Sequence, residues 1–332
     1  MIFETSDPLA LAGVLLASLL VLAKSAQVIN DQAMVLARFF KISELAIGFL
    51  LLSVATSLPE LTIAVMAGLK HESGISVGNV LGANISNLTL VLGISALFAT
   101  VTFGKKETRK LTNILLLASA IPIAILFLNY GSAASPVLKS LFAVLNGLIG
   151  VCLLTAFGAY AYVVLKERIA EKYGEKIGAE KAVVSAFVFS IALAVLVASS
   201  NAVVDSAVQL AQLLGVAKAV MGATIISIGT TLPELTVTAL AVRGKHKEMG
   251  IGNAVGSCIV NLTLILGAGA VLNPLAADLT AFTTLVVFFL AANFLLWHIV
   301  RKYRVLGKRQ AVLLLGFYAA FLLLASKIGA PA

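Results

Sequence analysis

Apolar residues occur along this chain in continuous runs of about 20, the length of helix that crosses the ~30 Å hydrocarbon core of a bilayer. The runs are not alternating, which excludes a β-barrel. We therefore expect an all-α membrane protein with ten transmembrane helices. Short polar segments separate the predicted spans, which lie at 9–30, 43–69, 75–102, 111–130, 138–165, 182–212, 217–242, 249–272, 279–300 and 310–328.

The composition agrees with this pattern and excludes several classes of function. Of the 332 residues, 60% are hydrophobic and 12% are charged, which is unlike a soluble domain. A net charge of +9 is explained by basic inner loops, so no nucleic-acid partner is expected. Cys152 and Cys258 lie in apolar runs without a CxxC or Cys/His pattern. A disulfide framework, a zinc site and a resident cofactor are therefore not expected.

The basic residues indicate how the spans are oriented. With the N-terminus outside, nineteen Lys and Arg residues fall in inner loops and four in outer loops. This distribution follows the positive-inside rule. Because ten spans return the chain to its starting side, we expect a multi-pass protein of the cell membrane with both termini outside.

The chain contains one long stretch twice. Residues 53–93 and 227–267 align without a gap at a spacing of 174 positions, and 18 of the 41 pairs are identical. Five spans in each half is an odd number, so the two halves enter the membrane from opposite sides and form inverted-topology repeats. The predicted parts are a first five-helix repeat (1–165, motif 43–102), a cytoplasmic connector (166–181) and a second repeat (182–332, motif 217–272).

Each motif carries one glutamate deep inside an apolar run, Glu60 in the first and Glu234 in the second. A carboxylate near mid-membrane costs about 2.5–3.5 kcal/mol, so it must face a cavity, a cation or a partner. Neither span offers Lys or Arg at that depth, which favours a bound cation as counter-charge. The alternative is a protonated structural glutamate bonded between helices. Glu44 and Asp205, nearer span ends, are interpreted as interfacial residues.

Oxygen-bearing groups surround each glutamate in the sequence. Pro59 and Pro233 precede the glutamates and remove helical hydrogen bonds, which frees nearby carbonyls. Hydroxyl residues three and four positions earlier share the helix face of the carboxylate. In the following helices Asn79 and Asn253 stand one turn before Ala83 and Ser257, and helix packing is as good an explanation for the two asparagines as ion contact.

The number of oxygens predicts the class of ion. Two bidentate carboxylates with one freed carbonyl from each repeat supply about six oxygens, within the six to eight that Ca²⁺ takes. These are hard donors, which do not favour soft metals. The same two negative charges can also be shared among several Na⁺ ions or protons.

The paired (Ser/Thr)-Leu-Pro-Glu and Gly-Asn-x-x-Gly-x-x-Ile-x-Asn motifs resemble the α-repeats of the cation/Ca²⁺ exchanger superfamily, above all those of prokaryotic Na⁺/Ca²⁺ exchangers. The resemblance covers most of the chain. It implies that Glu60 and Glu234 bind Ca²⁺ together with the carbonyls of Thr56 and Thr230. It also implies Na⁺ sites at Ser53, Thr56, Ser57, Ser227, Thr230, Thr231 and Ser257, with Asn87 and Asn261 closing the centre.

Two positions depart from the pattern that the resemblance implies. Ala83 stands where the pattern usually has a serine hydroxyl, which puts the Na⁺ stoichiometry in question. Asn261 stands where several prokaryotic members carry aspartate, which makes co-transport of K⁺ less favourable.

We expect a secondary active antiporter that exchanges Ca²⁺ for Na⁺ by alternating access, with spans 1 and 6 as the mobile part. The expected partners are these ions and the lipid bilayer, and we expect a monomer to be sufficient. One alternative is a H⁺/Ca²⁺ antiporter that uses the same glutamates, and another is a passive cation channel. An enzyme is not expected, because no HExxH or GxSxG motif is present.

Overall fold

The computed structural model describes residues 7–39, 53–134, 136–166, 178–244, 247–273, 275 and 278–325, which are almost entirely helical. The first half contains α1 (Pro8–Phe39), α2 (Ser53–Thr56), α3 (Leu58–Leu69), α4 (Ser73–Phe98), α5 (Lys105–Ala134) and α6 (Pro136–Lys166). The second half contains α7 (Ala179–Leu214), α8 (Lys218–Thr230), α9 (Leu232–Arg243), α10 (Lys247–Val260, continuing through Leu266–Leu272), α11 (Leu279–Tyr303) and α12 (Lys308–Ala325).

The prediction of an all-α, multi-pass membrane protein is confirmed. Seven of the described helices are long and apolar enough to cross a membrane, and the bent pair α8–α9 makes eight. The count of ten and the inverted relation of the halves stay predictions, although a described helix lies within each predicted span. The start of the second span, with Glu44, and the connector residues 167–177 lie outside the described residues.

Two short strands correct the predicted end of the third span. The apolar pattern extends that span to residue 102, but α4 ends at Phe98 and Ala99 is extended. Val101–Thr102 then form β1, which pairs antiparallel with β2 (Val305–Leu306). A strand of two residues is too short to show an alternating pattern, so hydropathy could not separate it from the end of an apolar helix. The strand pair fixes the start of α5 beside the α11–α12 connection.

Both glutamate-bearing spans are broken at the same place. Ser57, with ψ 8°, separates α2 from α3, and Thr231, with ψ 2°, separates α8 from α9. Each break precedes the Leu-Pro pair that opens the next helix, because proline has no N–H to continue the helical ladder. The axes of α8 and α9 differ by 45°. Glu60 and Glu234 therefore lie in the first turns of α3 and α9, where the helix dipole favours negative charge.

A π-helical turn interrupts α4 and α10 at equivalent positions, which the sequence pattern did not reveal. The two turns span Asn87–Val91 and Asn261–Ile265, so each begins at one of the predicted site asparagines. A third π turn, Gly222–Ile226, lies in α8. Such turns widen the helix by one residue and often occur at functional sites.

The helices that carry these turns form the centre of the bundle. Within the membrane-spanning part of α4, 83% of residues are buried, and 72% are buried in α10. In α6 the corresponding value is 17%, so α6 lies at the periphery against lipid. A helix buried on all sides has no lipid-facing stripe, which explains why polar asparagine and threonine residues are tolerated in α4 and α10.

Small residues bring the two halves into backbone contact. A Cβ added to Gly78 would overlap the carbonyl of Ala219, and one added to Gly82 would overlap the backbone of Ala223. Gly222 makes the same contact from the α8 side, where an added Cβ would overlap the backbone of α4 around Ile75. Packing of this kind is the main source of attraction between helices in lipid. Helix α4 of the first half therefore packs directly against helix α8 of the second half.

The long helices α1 and α7 pack side by side and form most of a second apolar cluster, to which α3, α4 and α8 also contribute. Leu15, Leu22 and Ile29 of α1 are buried in it with Leu196 and Val203 of α7. These two helices are spans 1 and 6 of the sequence prediction. They contact the central helices through α2, α3 and α8.

Within the part of the chain that the structure describes, two ion pairs join the halves at one end of the bundle. Lys70, just after α3, lies 2.6 Å from Asp205 of α7. Lys218, at the start of α8, lies 2.6 Å from Glu72, just before α4. Asp205 therefore stands next to a cation at the edge of the bundle, in agreement with its interpretation as an interfacial residue.

Candidate cation site

The two motifs bring Glu60 and Glu234 into the same region of the interior. Both side chains are completely buried, and their charges lie close enough to interact. Ser57, one turn before Glu60, donates a hydrogen bond of 3.3 Å to Oε1 of Glu234. Each glutamate is therefore placed by the broken helix of its own half but contacts the other half.

The carboxylates are under-satisfied by protein groups. Among the described residues, neither oxygen of Glu60 has a hydrogen-bond partner, and Oε2 of Glu234 has none. No ion pair with Lys, Arg or His reaches either carboxylate within that part of the chain. An unpaired buried carboxylate is highly unfavourable. The arrangement is suited to a bound cation, or to protons, that supplies the missing positive charge.

Thr56 lies at the centre of one cluster of oxygens. Its hydroxyl is 3.4 Å from the hydroxyl of Ser257 and 3.5 Å from Oδ1 of Asn253. The two partners belong to α10 and lie one turn apart. Three side-chain oxygens from both halves thus converge next to the break between α2 and α3, where a small cation can replace their weak mutual hydrogen bonds.

The equivalent cluster around Thr230 is poorer in oxygen. The Thr230 hydroxyl donates to Oδ1 of Asn79 at 3.1 Å, which repeats the contact of Thr56 with Asn253. Ala83, at the position of Ser257, supplies no hydroxyl. The departure seen in the sequence therefore removes an oxygen from one of two otherwise matching clusters.

The remaining predicted hydroxyls differ in what they contact. The Ser53 hydroxyl has no partner within the described residues. The Ser227 hydroxyl donates to the carbonyl of Ala223 at 2.6 Å, and that of Thr231 donates to the carbonyl of Ser227 at 2.8 Å. These two are held within their own helix, so a ligand role would require them to turn.

Asn87 and Asn261 lie at the starts of the two π turns and are fully buried. Nδ2 of Asn261 donates to Oδ1 of Asn84 at 3.0 Å, while its Oδ1 has no partner in the described part of the chain. Both polar atoms of Asn87 are likewise without a hydrogen bond there. Cys258, the counterpart of Asn84, is buried and packs near the Asn84 carbonyl, as expected of a small packing residue.

Sequence reasoning missed two residues that hold the site. Asn84 fixes Asn261, and Thr238 accepts a hydrogen bond of 3.1 Å from Nδ2 of Asn253. The equivalent of Thr238 is Ala64, and Nδ2 of Asn79 has no partner among the described residues. An alignment of the two copies could have indicated Thr238, because this polar residue is aligned with the apolar Ala64.

Comparison with known proteins shows the family to which this sequence belongs. The sequence model of the family described as sodium/calcium exchanger protein matches residues 10–166 and 184–327. The chain belongs to the sodium/calcium exchanger family. The prediction made from the two motifs is thereby confirmed.

Relatives of this exchanger family resemble the chain over most of its length. The inner membrane protein YrbG of Escherichia coli is 30% identical over 279 residues, covering 81% of this chain and 82% of its own. The sodium/calcium exchanger MaX1 of Methanosarcina acetivorans is 28% identical over 348 residues, covering 93% and 96%. The solved structure of the sodium–calcium exchanger NCX_Mj soaked with 10 mM Na⁺ and zero Ca²⁺ matches with a TM-score of 0.62 and 27% identity, covering 96% and 99%.

Proposed function

We propose that this member of the exchanger family is an antiporter that moves Ca²⁺ in exchange for Na⁺. The observation that carries the proposal is the pair of buried carboxylates, Glu60 and Glu234, which lack protein counter-charges in the described residues. Two negative charges neutralise one divalent ion or are shared by monovalent ions. Competition between Ca²⁺ and Na⁺ for the same carboxylates couples the two fluxes.

The proposed Ca²⁺ ligands are the carboxylates with the backbone carbonyls of Thr56 and Thr230. The oxygens around Thr56 support a Na⁺ position formed with Asn253 and Ser257, and Ser57, which contacts Glu234, is a further proposed ligand. The remaining proposed Na⁺ ligands are Ser53, Ser227, Thr230 and Thr231, with Asn87 and Asn261 at the centre. Since Ala83 lacks a hydroxyl, the position near Thr230 is the one that binds Na⁺ less well.

Alternating access in this proposal uses inverted repeats of five helices each, with both termini outside the cell membrane. The reciprocal contacts Thr56–Asn253 and Thr230–Asn79 support the relation, because a two-fold axis between halves produces paired contacts. The helices α1 and α7, which pack along each other, are the proposed moving part. All proposed ligands come from one chain, so a monomer is sufficient.

Flux into proteoliposomes tests the proposal. Protein in vesicles loaded with Na⁺ should take up ⁴⁵Ca²⁺ when diluted into Na⁺-free medium, and uptake should collapse when Na⁺ is equal on both sides. A proton gradient imposed without Na⁺ should drive no uptake. Uptake driven by the proton gradient alone would instead establish proton coupling at the same glutamates. Downhill flux that needs no counter-ion would indicate a channel.

A further inference from the structure

A groove opens on the lipid-facing surface between α5 and α11, away from the cation site. Its volume is about 210 Å³, and it is lined by Leu115, Leu116, Ser119, Leu290, Asn293, Phe294 and Trp297. Leu116 and Phe294 are 58% and 64% exposed, so the groove faces the hydrocarbon of the membrane. Because its walls are largely apolar and it opens to the hydrocarbon, the groove can receive an acyl chain.

Two buried polar atoms in the groove wall have no hydrogen-bond partner among the residues that the structure describes. Asn293 is 2% exposed and uses Nδ2 to donate to Ser119 at 3.2 Å, but its Oδ1 has no hydrogen bond among the described residues. Nε1 of Trp297, one turn further along α11, is also without an acceptor there. Unsatisfied polar atoms are costly at membrane depth, where no bulk water is available. The groove therefore presents one acceptor and one donor to whatever occupies it.

A cation stands at the outer end of the same helix face. The guanidinium of Arg301 lies 5.0 Å from the centre of the Trp297 ring, one turn beyond the indole N–H. The β1–β2 pair keeps the start of α5 next to the end of α11, with Phe103 donating to the Arg304 carbonyl at 2.8 Å. The sequence places nine Lys and Arg residues in 99–110 and 297–311, against one acid, Glu107.

Along α11, the side chains that border the groove change from charged at the membrane edge to apolar in the interior. Arg301, Trp297 and Asn293 are spaced four residues apart, so each step is about 6 Å along the helix axis. A phospholipid has the same order: an anionic phosphate at the membrane edge, ester carbonyls beneath it and an acyl chain below. Zwitterionic lipids have the same esters but no net charge to match the surrounding basic residues.

We infer that the α5–α11 groove is a binding site for an anionic glycerophospholipid of the leaflet that Arg301 faces. The phosphate pairs with Arg301, and the Trp297 N–H donates to an ester carbonyl. A water that donates to Asn293 Oδ1 and to the second ester carbonyl satisfies the remaining acceptor. One acyl chain fills the space between Leu116 and Phe294. The inference does not depend on which ions the protein carries.

The sequence provides a probe at the site itself, because Trp297 is the only tryptophan in the chain. Protein is reconstituted in phosphatidylcholine with brominated acyl chains, which quench tryptophan fluorescence at contact. Unbrominated phosphatidylglycerol or unbrominated phosphatidylcholine is then titrated in, and the recovery of fluorescence measures displacement. We expect phosphatidylglycerol to be about fivefold more effective than phosphatidylcholine, the preference that one basic residue near a membrane surface confers.

Two variants separate a built site from general surface attraction. Arg301→Gln should reduce the preference for phosphatidylglycerol to near unity, and Arg309→Gln, an exposed basic position outside the groove, should leave it unchanged. Equal recovery by the two lipids in the unaltered protein would overturn the inference. So would an equal loss of preference in both variants, because the selectivity would then come from bulk charge. Fluorescence is read without transport, so this outcome is independent of the proposed function.

Discussion

The Ser57 hydroxyl lies 3.3 Å from Oε1 of Glu234, although the two residues are 177 positions apart. The matching residue in the second motif, Thr231, donates to a carbonyl of its own helix instead. Glu234 therefore receives a hydrogen bond from Ser57 that Thr231 does not repeat at Glu60, although the Thr230 hydroxyl lies near Glu60. The two glutamates occupy equivalent sequence positions but different environments.

Replacing either glutamate should abolish exchange without unfolding the protein. Glu60→Gln or Glu234→Gln removes half of the negative charge that holds Ca²⁺, so Ca²⁺ flux in proteoliposomes should fall to background. The ion-free variant should be at least as thermally stable as the unaltered protein, because an unpaired buried charge is removed. Glu180→Gln, at the exposed start of α7, is the control and should transport normally. Near-normal flux in Glu60→Gln would contradict the assigned site.

The oxygen missing near Thr230 can be restored. Ala83→Ser places a hydroxyl where the second motif has Ser257, so the Na⁺ concentration for half-maximal exchange should decrease. Ser257→Ala removes the hydroxyl 3.4 Å from Thr56 and should raise that concentration. Measurements of ⁴⁵Ca²⁺ flux against external Na⁺ compare the two. If both variants shift in the same direction, the hydroxyls at these positions are not Na⁺ ligands.

Thr238 should contribute to stability through Asn253. Thr238→Val keeps the shape but leaves the buried Nδ2 of Asn253 without an acceptor, which should lower the free energy of unfolding by about 1–3 kcal/mol. Thr238→Ser retains the hydroxyl and should recover most of the loss. Thermal unfolding in detergent measures both. A destabilisation that serine fails to recover would assign the effect to packing rather than to the hydrogen bond.

The ion pair between Lys70 and Asp205 should show measurable coupling. The two side chains are 26% and 9% exposed, so the pair is partly shielded from water. A double-mutant cycle with Lys70→Met and Asp205→Asn should give a coupling of about 1 kcal/mol that decreases with salt. The same cycle with the exposed Lys181 in place of Lys70 should give none. Equal coupling free energies in both cycles would show that the direct contact between Lys70 and Asp205 does not contribute to stability.

The glycine contacts between α4 and α8 should be intolerant of a single methyl group. Gly82→Ala forces a Cβ onto the backbone of Ala223 and should destabilise the protein by about 1–3 kcal/mol or more. Gly158→Ala, in α6 with open space around it, should be neutral or slightly stabilising, since alanine is the better helix former. Thermal unfolding of the two variants checks the difference. A tolerated alanine at position 82 would mean that the helices are not in close contact.

Hydropathy was sufficient to predict the membrane class, and the repeat identified the segments that carry the glutamates. The family followed from the resemblance of the two motifs to known α-repeats. Proline before each glutamate predicted that helical hydrogen bonds are lost in this segment, because the missing N–H acts locally. The structure adds that the helices break at Ser57 and Thr231. The close approach at Gly78 and Gly82 was also predictable, since two glycines one turn apart leave room for a neighbouring backbone.

Other features depend on contacts between distant residues and could not be read from the sequence. A π turn at Asn87 changes neither the composition nor the apolar period of α4. The pairing of Lys70 with Asp205 joins residues 135 positions apart, and the bond from Asn261 to Asn84 spans 177. The strand at Val101–Thr102 forms only because Val305–Leu306 is beside it. In these last three cases the partner belongs to the other half.

The contact of Gly78 and Gly82 with the main chain of Ala219 and Ala223 has a consequence for how the molecule is assembled. Because α8 covers the face of α4 that carries Gly78 and Gly82, a fragment ending before residue 179 would leave that face without its partner helix. We therefore expect the helices of the first half to reach their final packing only after α8 has been synthesised.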